Sequence, residues 1–183
     1  MKMIGEIIMS TKQNGIEPKR IEKNANSVTV AGLSKRYLFS GPMNPAAQWQ
    51  KLGPYLGRIP GQKGNVAYGV CFDMANREGI EYFCGVEVSD EVNASVLPDG
   101  FELKQLPSFS YAVFDHGGHI SGIRQTCDAI WKEWIPNSGY SKPEKANFFF
   151  ELYGEKFNPR KGMGDIEIWI PIEIGSRDTL QIR

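Results

Sequence analysis

An acidic residue stands among aromatic residues in the segment FFFELY, which spans residues 148–153. Alternate side chains of a strand point to the same face, so Phe149, Glu151 and Tyr153 are expected on one face. A carboxylate in such surroundings is costly to desolvate and persists only when a hydrogen bond or a cation compensates it. Aromatic rings attract cations by roughly 0.5–2 kcal/mol each. The segment therefore favours recognition of a flat cationic molecule or, because partial desolvation raises basicity, general-base catalysis by Glu151.

A second strand-like segment, DIEIWIPIEI at residues 165–174, adds side chains to the same predicted face. Its alternate aliphatic residues are expected to pack against helices, and they are Ile166, Ile168, Ile170 and Ile172. This leaves Glu167 and Trp169 on the face of Glu151. The same alternation assigns Tyr68 and Phe83 to that face from the first half of the chain. The candidate ligand-binding residues are therefore Glu151, Trp169, Tyr68, Phe83, Phe149, Tyr153 and Glu167.

The predicted face of Glu151 depends on the parity of its strand. Phe148, Phe150 and Leu152 suit a core beneath helices, which is why Glu151 is assigned to the open face. A β-bulge would shift this parity by one residue and exchange Glu151 for Phe150. A second alternative stays open, in which Glu151 is solvated at the sheet surface and the aromatic residues are ordinary strand formers.

Other arrangements give weaker indications of chemistry. Ser110 and Ser121 lie near Asp115, His116 and His119 in the sequence, but closeness in sequence does not make a catalytic triad, and no G-x-S-x-G motif is present. The segment GQKGN matches neither a P-loop nor a dinucleotide fingerprint. No cofactor is expected.

The cysteines indicate neither a disulfide framework nor a zinc site. Cys71, Cys84 and Cys127 are odd in number, lack C-x-x-C spacing and are accompanied by only two histidines. We therefore expect no bound metal and a reducing cytoplasmic location.

Composition excludes several classes of partner. The 183 residues include 21 Lys and Arg and 21 Asp and Glu, so the formal net charge is zero. The chain lacks the basic excess of most phosphate-backbone binders, and direct DNA binding is not expected. No apolar run approaches the roughly 18–20 residues that span a bilayer, so no membrane association is expected. A small molecule is the favoured partner.

The elements that must position these residues follow the order β-α-β-β twice. Strand-like SVTVAGLS precedes a helix expected to begin near Pro45, with Asn44 as its N-cap, and a hairpin follows. After a Pro- and Gly-containing linker come strand FSYAVFD, an amphipathic helix in SGIRQTCDAIWKEWI and a second hairpin. The predicted fold is an α+β tandem β-α-β-β repeat with pseudo-twofold symmetry. Its antiparallel sheets carry both helices on one face and a ligand cleft on the other.

An internal match supports this duplication, because Glu81–Val88 aligns with Glu167–Ile174 in register. The predicted domain organisation is an N-terminal extension over 1–24, a domain over 25–173 divided into repeat 25–90, linker 91–106 and repeat 107–173, and a C-terminal tail over 174–183.

Six short segments, in this order, resemble the GyrI-like family, also known as the bacterial effector-binding domain of the AraC type. They are YGVC at 68–71, FCGVEVSD at 83–90, YAVFDHGG at 111–118, IWKEWIPNSGY at 130–140, FELYGEKFNP at 150–159 and EIWIPI at 167–172. The resemblance implies a central cleft that binds small, often amphipathic or cationic, molecules. It implies that Glu151 meets the positive charge of the ligand and that Trp169 stacks on it.

The resemblance leaves three functions open for a chain that shows no fused DNA-binding domain. The first is binding of xenobiotic or cationic small molecules. The second is hydrolysis of cyclopropane-bearing DNA-alkylating compounds, in which Glu151 would deprotonate water while Tyr68 or Tyr153 would hydrogen-bond the carbonyl of the electrophile. The third is a gyrase-inhibitor-like function through a protein partner, for which no motif can be placed.

Overall fold

The computed structural model describes residues 15–174. The first fourteen residues of the predicted N-terminal extension and all but the first residue of the predicted tail lie outside the described residues. The strands are β1 (Arg20–Glu22), β2 (Val28–Leu38), β3 (Gln62–Asp73), β4 (Gly79–Val88), β5 (Glu102–Leu106), β6 (Ser110–Asp115), β7 (Tyr140–Ser141), β8 (Phe148–Tyr153) and β9 (Ile166–Ile174). The α-helices are α1 (Pro45–Leu52), α2 (Ile123–Ala129) and α3 (Ile135–Asn137). None of the helices between residues 15 and 174 is long and apolar enough to cross a membrane.

The first helix begins where the sequence predicts it. The side chain of Asn44 accepts a hydrogen bond from the backbone N–H of Ala47 at 3.1 Å, and Pro45 occupies the first turn, where it has no N–H to leave unpaired. Helix α1 ends at Leu52, and a 3₁₀ turn over Gly53–Tyr55 includes Pro54, as expected for a residue that cannot continue the backbone ladder. Leu52 is fully buried against the sheet.

The second helical region runs from residue 120 to residue 137 and is not a uniform α-helix. A 3₁₀ turn over Ile120–Gly122 precedes α2, and a π-helical segment over Ile130–Trp134 separates α2 from α3. The predicted amphipathic stripe is present, because Ile130 and Trp134 are buried while Trp131 packs at the edge of the same cluster. The π-helix is not visible in the sequence pattern. Such segments occur frequently at functional sites.

Between residues 15 and 174, nine strands form the sheets, with antiparallel pairing at every interface. The strand order is β1-β6-β9-β8-β3-β4-β2-β5, and the two-residue strand β7 pairs with β9. This mostly antiparallel α+β arrangement agrees with the predicted fold class. Strands β3 and β8 join the two halves of the chain at the centre of the sheet.

Two of the predicted non-repetitive segments contribute strands. The predicted linker 91–106 contains β5, which pairs with β2, and the predicted extension 1–24 contains β1, which pairs with β6. Both strands are short and lie at the ends of the strand order. Three to five residues without clear alternation are too few for periodicity to distinguish a strand from a loop.

The sheet must curl, because two short connections join its ends. Strands β5 and β6 are six positions apart in the strand order, which would be about 29 Å in a flat sheet. The chain from Leu106 to Ser110 spans at most about 14 Å. A second connection, residues 23–27 between β1 and β2, crosses the same gap, and we call it the strap. The N–H of Ala25 in the strap donates to the carbonyl of Phe109 at 2.9 Å.

Curling encloses a core on each side of the sheet. The concave side holds a cluster that includes Val30, Phe83 and Phe148 and draws residues from strands at both ends of the order. On the other side, α1 packs with Leu52 near Cys84, and the π-helical segment packs with Ile130 near Ile168. Three of the isoleucines predicted to face helices do so, at 168, 170 and 172.

An ion-paired cluster holds β1 at the edge of the sheet. The guanidinium of Arg20 donates to both oxygens of Glu167, at 2.7 and 3.0 Å, and lies 5.1 Å from the ring centre of Trp169. Lys19 adds a hydrogen bond to Glu167 at 3.2 Å. Burial alone would raise the pKa of Glu167, but the hydrogen bonds and charge of Arg20, followed by Lys19, lower the pKa below its ordinary value.

We expect Glu167→Gln to lower the free energy of unfolding by about 1 kcal/mol at pH 7, because the pair is only partly shielded from water. A carboxyl group with a lowered folded-state pKa stabilises the fold above that pKa, and the contribution is lost as the pH falls through it. Urea titrations at a descending series of pH values would measure the difference. The exposed Glu173→Gln is the matched control in the same strand. A loss of equal size at every pH would contradict the ion-pair explanation.

Candidate functional site

The strand register separates Glu151 from Trp169. In antiparallel strands directly opposed residues share a face. Glu151 is opposite Ile168 and Gly69, whereas Trp169 is opposite Phe150. The prediction that Glu151 and Trp169 lie on one face is therefore wrong. We call the two faces the glutamate side, which contains Glu151, and the tryptophan side, which contains Trp169.

The other predicted residues divide between these two sides. Phe149 and Tyr153 lie with Glu151, whereas Tyr68, Phe83 and Glu167 lie with Trp169, as the pairing partners of each show. The sequence assigned Phe150 to the helices because it expected one side of the sheet to be open. Both sides are covered instead, so hydrophobicity could not determine the parity of β8, in which Phe148, Phe150, Glu151 and Tyr153 are all buried.

Glu151 accepts hydrogen bonds from two tyrosines. The hydroxyls of Tyr82 and Tyr153 donate to Oε2 of Glu151, at 3.0 and 2.7 Å. The indole N–H of Trp49, on α1, donates to the hydroxyl of Tyr82 at 3.0 Å, and the Trp49 ring meets Tyr153 edge to face at 5.1 Å. Oε1 accepts no hydrogen bond from residues 15–174. A water molecule or ligand that reaches the carboxylate would therefore bond this oxygen.

The electrostatic surroundings of Glu151 are unusual for a carboxylate. Its side chain is buried, with only 7% of the residue exposed, and burial raises its pKa, while the hydrogen bonds from Tyr153 and Tyr82 lower it in part. Within the described part of the chain, no Lys, Arg or His nitrogen lies within 4.0 Å of its oxygens. Burial raises the pKa of Tyr82 and of Tyr153 well above the ordinary phenol value, so both keep their protons as donors. Among residues 15–174 the carboxylate of Glu151 therefore has no cationic side chain in direct contact.

Among residues 15–174, no group of three or more His, Cys, Asp or Glu side chains could hold a metal ion.

Aromatic side chains surround the carboxylate on both sides along β8. Trp49 packs on Tyr153, which also meets Phe157 at 4.9 Å, and Trp131 of the π-helical segment meets Phe149 at 6.0 Å. Glu151 lies between Phe149 and Tyr153 in the strand. Thus Trp49 of α1 contacts Tyr153 on one side of Glu151, and Trp131 of the π-helical segment contacts Phe149 on the other.

Gly69 makes room for the hydrogen bonds of Glu151. It lies opposite Glu151 in β3, and a Cβ atom at this position would collide with the Tyr82 hydroxyl and lie 2.6 Å from Oε2 of Glu151. Gly69, Tyr82 and Trp49 are not among the residues predicted from the sequence. The parity of β4 could have indicated Tyr82 once β4 was paired with β3, but no local pattern marks Gly69 or Trp49.

On the tryptophan side, the predicted residues have other partners. Phe83 is fully buried in the concave core and Glu167 is held by Arg20, so neither side chain is free for a ligand. Tyr68 hydrogen-bonds Glu87 at 3.5 Å. Because Tyr68 lies across the sheet from Glu151, it cannot assist the carboxylate in hydrolysis as the sequence suggested, whereas Tyr153 and Tyr82 are in contact with it.

We expect Glu151→Gln to raise the melting temperature at pH 8, with a difference that closes as the pH falls toward 4.5, the ordinary value for this carboxyl group. A carboxyl group whose folded-state pKa is raised destabilises the fold as the pH rises through that pKa, and the amide does not ionise. Calorimetry across this range measures the effect. Glu87→Gln, which removes the same charge across the sheet, should show no such trend, and a difference independent of pH would contradict the assignment.

Gly69→Ala should lower the free energy of unfolding by about 1–3 kcal/mol, because the new methyl group overpacks the site between Tyr82 and Glu151. Gly53→Ala is the matched control, since its Cβ would enter open space in a helical conformation. The control should be neutral or stabilising. Guanidinium titrations of both variants test this, and equal stabilities would show that Gly69 is not needed for close packing.

Comparison with known proteins agrees with this architecture. A family model described as a GyrI-like small molecule binding domain matches residues 20–173. No curated protein matches the chain. Among solved structures, SAV2435 bound to tetraphenylphosphonium has a TM-score of 0.62 and 19% identity, over 84% of this chain and 93% of that one. The EcmrR C-terminal domain has a TM-score of 0.57 and 18% identity, over 84% and 96%.

A hydrolase from Listeria innocua is more distant, with a TM-score of 0.54 and 10% identity over 87% of this chain and 93% of that one. Likenesses at these identities show a shared fold. The family model covers nearly all of the described residues and confirms the resemblance seen in the sequence. The chain belongs to the GyrI-like small-molecule binding domain family.

Proposed function

We propose that this protein binds cationic aromatic or amphipathic small molecules at Glu151. The observation that carries the proposal is a buried carboxylate whose hydrogen-bond donors are two neutral phenols, with no cationic side chain of residues 15–174 in contact with it. A buried charge without a counter-charge is unfavourable, and a cationic ligand supplies the missing charge. Tetraphenylphosphonium, the molecule bound to SAV2435, is a cation of this class.

The aromatic residues around Glu151 support the same class of ligand. Trp49 and Tyr153 on one side of Glu151, and Trp131 and Phe149 on the other, provide rings that attract a cation with delocalised charge. Lys142 already lies 5.7 Å from the ring centre of Trp131, so this ring accepts a positive charge. We propose that the ligand enters between α1 and the π-helical segment, toward the free Oε1 of Glu151.

Entry requires a rearrangement, because Glu151 is enclosed by Tyr82, Tyr153 and Trp49. We propose that the π-helical segment moves to admit the ligand. Its hydrogen bonds depart from the α-helical pattern, and such segments are frequent at functional sites. The sequence predicts the ligand cleft on the face opposite the helices. Glu151 instead shares its face with residues that contact α1 and the π-helical segment, so we propose a cleft between these two helical regions. The repetition of β-α-β-β and the central pairing of β3 with β8 support the predicted pseudo-twofold relation.

Three further expectations stay proposals. The protein is proposed to act in the cytoplasm, which its three free cysteines support. It is proposed not to bind DNA directly, an expectation that rests on the zero net charge. DNA gyrase as a protein partner stays a prediction, and no feature of the described residues favours it.

The binding proposal is tested with tetraphenylphosphonium and with the uncharged triphenylphosphine oxide. We expect Glu151→Gln to weaken binding of the cation by at least about tenfold, because a shielded ion pair contributes more than 1.4 kcal/mol, and to leave the neutral analogue nearly unchanged. Isothermal titration calorimetry measures both affinities, with Glu87→Gln as the control. Equal affinity of wild type and Glu151→Gln for the cation would refute the proposal.

A hydrolytic function is the second candidate, favoured by the raised pKa of Glu151 and by its contact with two protonated phenols. In this mechanism Oε1 of Glu151 takes a proton from water and the water oxygen bonds to a ring carbon of a cyclopropane conjugated to a carbonyl. The breaking carbon–carbon bond sends its electron pair to the carbonyl oxygen, where a tyrosine hydroxyl stabilises the charge, and protonation of the enolate completes the addition of water.

Mass spectrometry distinguishes the two functions. Incubation with a cyclopropane-bearing alkylator should yield a product heavier by one water, at many equivalents per protein, if the protein is a hydrolase. We expect Glu151→Gln to lower such turnover by at least about 100-fold, in the range usual for loss of a general base. Binding of the compound without any change in its mass would exclude the hydrolytic function and support the binding function.

A further inference from the structure

A cavity of about 320 Å³ lies on the tryptophan side, beneath the strap. Its walls are formed mainly by Tyr68, Tyr111, Phe150, Trp169, Val28 and Leu152. This volume and this predominance of aromatic and aliphatic side chains are those of small-molecule sites. The cavity exists because the curled sheet brings β2 near β6 while the strap crosses above the gap.

The donor groups in its walls are already paired with protein acceptors. The Tyr111 hydroxyl donates to the carbonyl of Pro107 at 3.2 Å, and the indole N–H of Trp169 donates to Glu167 at 3.0 Å. Phe150 stacks on Trp169 at 5.3 Å, which holds that ring in place as part of the wall. The interior is therefore apolar and demands no hydrogen bond from a molecule that fills it.

Two charged residues, Glu22 of β1 and Lys23 of the strap, line the cavity. Glu22 lies 3.5 Å from Nε of Arg20, and Lys23 is exposed to solvent. Beside them, the side chains of Asn24 and Asn26 make no hydrogen bond with any other described residue. The strap thus offers amide donors and acceptors, and the charged groups beside them are either ion-paired, as Glu22 is, or solvated, as Lys23 is, in contrast to the buried carboxylate of Glu151.

We propose that the strap cavity is a second binding site, which takes an uncharged aromatic molecule bearing one polar substituent. The ring system fills the apolar interior and the substituent meets Asn24 or Asn26. The sheet itself separates this site from Glu151, since Tyr68 and Leu152 form a directly opposed pair on the tryptophan side while Glu151 points to the other side. The two sites therefore differ in location and in the charge of the ligand they accept.

N-phenyl-1-naphthylamine is a suitable probe, because it is uncharged, carries one N–H group and gains fluorescence in apolar surroundings. We expect one equivalent to bind to the wild-type protein, with the same affinity in Glu151→Gln and in the presence of saturating tetraphenylphosphonium. Val28→Trp fills the cavity from the start of β2 and should weaken binding of the probe at least tenfold. Val96→Trp makes the same substitution at an exposed position away from the cavity and should have no effect.

Leu152→Phe is a second cavity-filling variant, to be used if circular dichroism shows that Val28→Trp does not fold. It should also weaken binding of the probe. Absence of probe binding to the wild type would overturn the proposal. Three other results would also overturn it. They are unchanged affinity for the probe in a folded cavity-filling variant, competition between the probe and the cation, and loss of probe binding in Glu151→Gln. Failure of the cation to bind would overturn the function proposed for Glu151 and leave this test unaffected.

Discussion

The closure of the sheet by two short connections is the constraint on which the rest of the structure depends. The three residues between β5 and β6, and the strap between β1 and β2, join strands that lie six positions apart in the strand order. A flat sheet would put them about 29 Å apart, beyond the reach of the shorter connection. The sheet curls, and the central strands β3 and β8 become interior on both sides.

Burial on both sides explains how a carboxylate comes to lie inside the protein. Glu151 occupies a central strand position whose opposite neighbour, Gly69, has no side chain, and the space is used by the hydroxyls of Tyr82 and Tyr153. Two phenol donors offset part of the desolvation penalty without neutralising the charge. The cationic ligand proposed above would relieve the remaining desolvation penalty.

The two sides of the sheet offer different solvation environments to small molecules. On the glutamate side a negative charge is enclosed by aromatic rings and covered by Trp49. On the tryptophan side Arg20 compensates the acid Glu167, and the charged groups that line the cavity are ion-paired or solvated. The difference follows from β1, which brings Arg20 to one side of the sheet and no equivalent cation to the other among the described residues.

The sequence by itself determined the family, the α+β class, the N-terminus of α1 at Asn44 and the two hairpins, because caps, turns and hydrophobic periodicity are local properties. It also singled out Glu151 as the residue of interest. Only the tertiary structure decided which way Glu151 points, because FFFELY is apolar or aromatic at both parities and a strand buried on both sides gives no alternation to detect. The partners of Glu151 could not be predicted for the same physical reason: Trp49, Gly69 and Tyr82 come from three separate elements, and only the pairing of β3 with β4 and β8 brings them together.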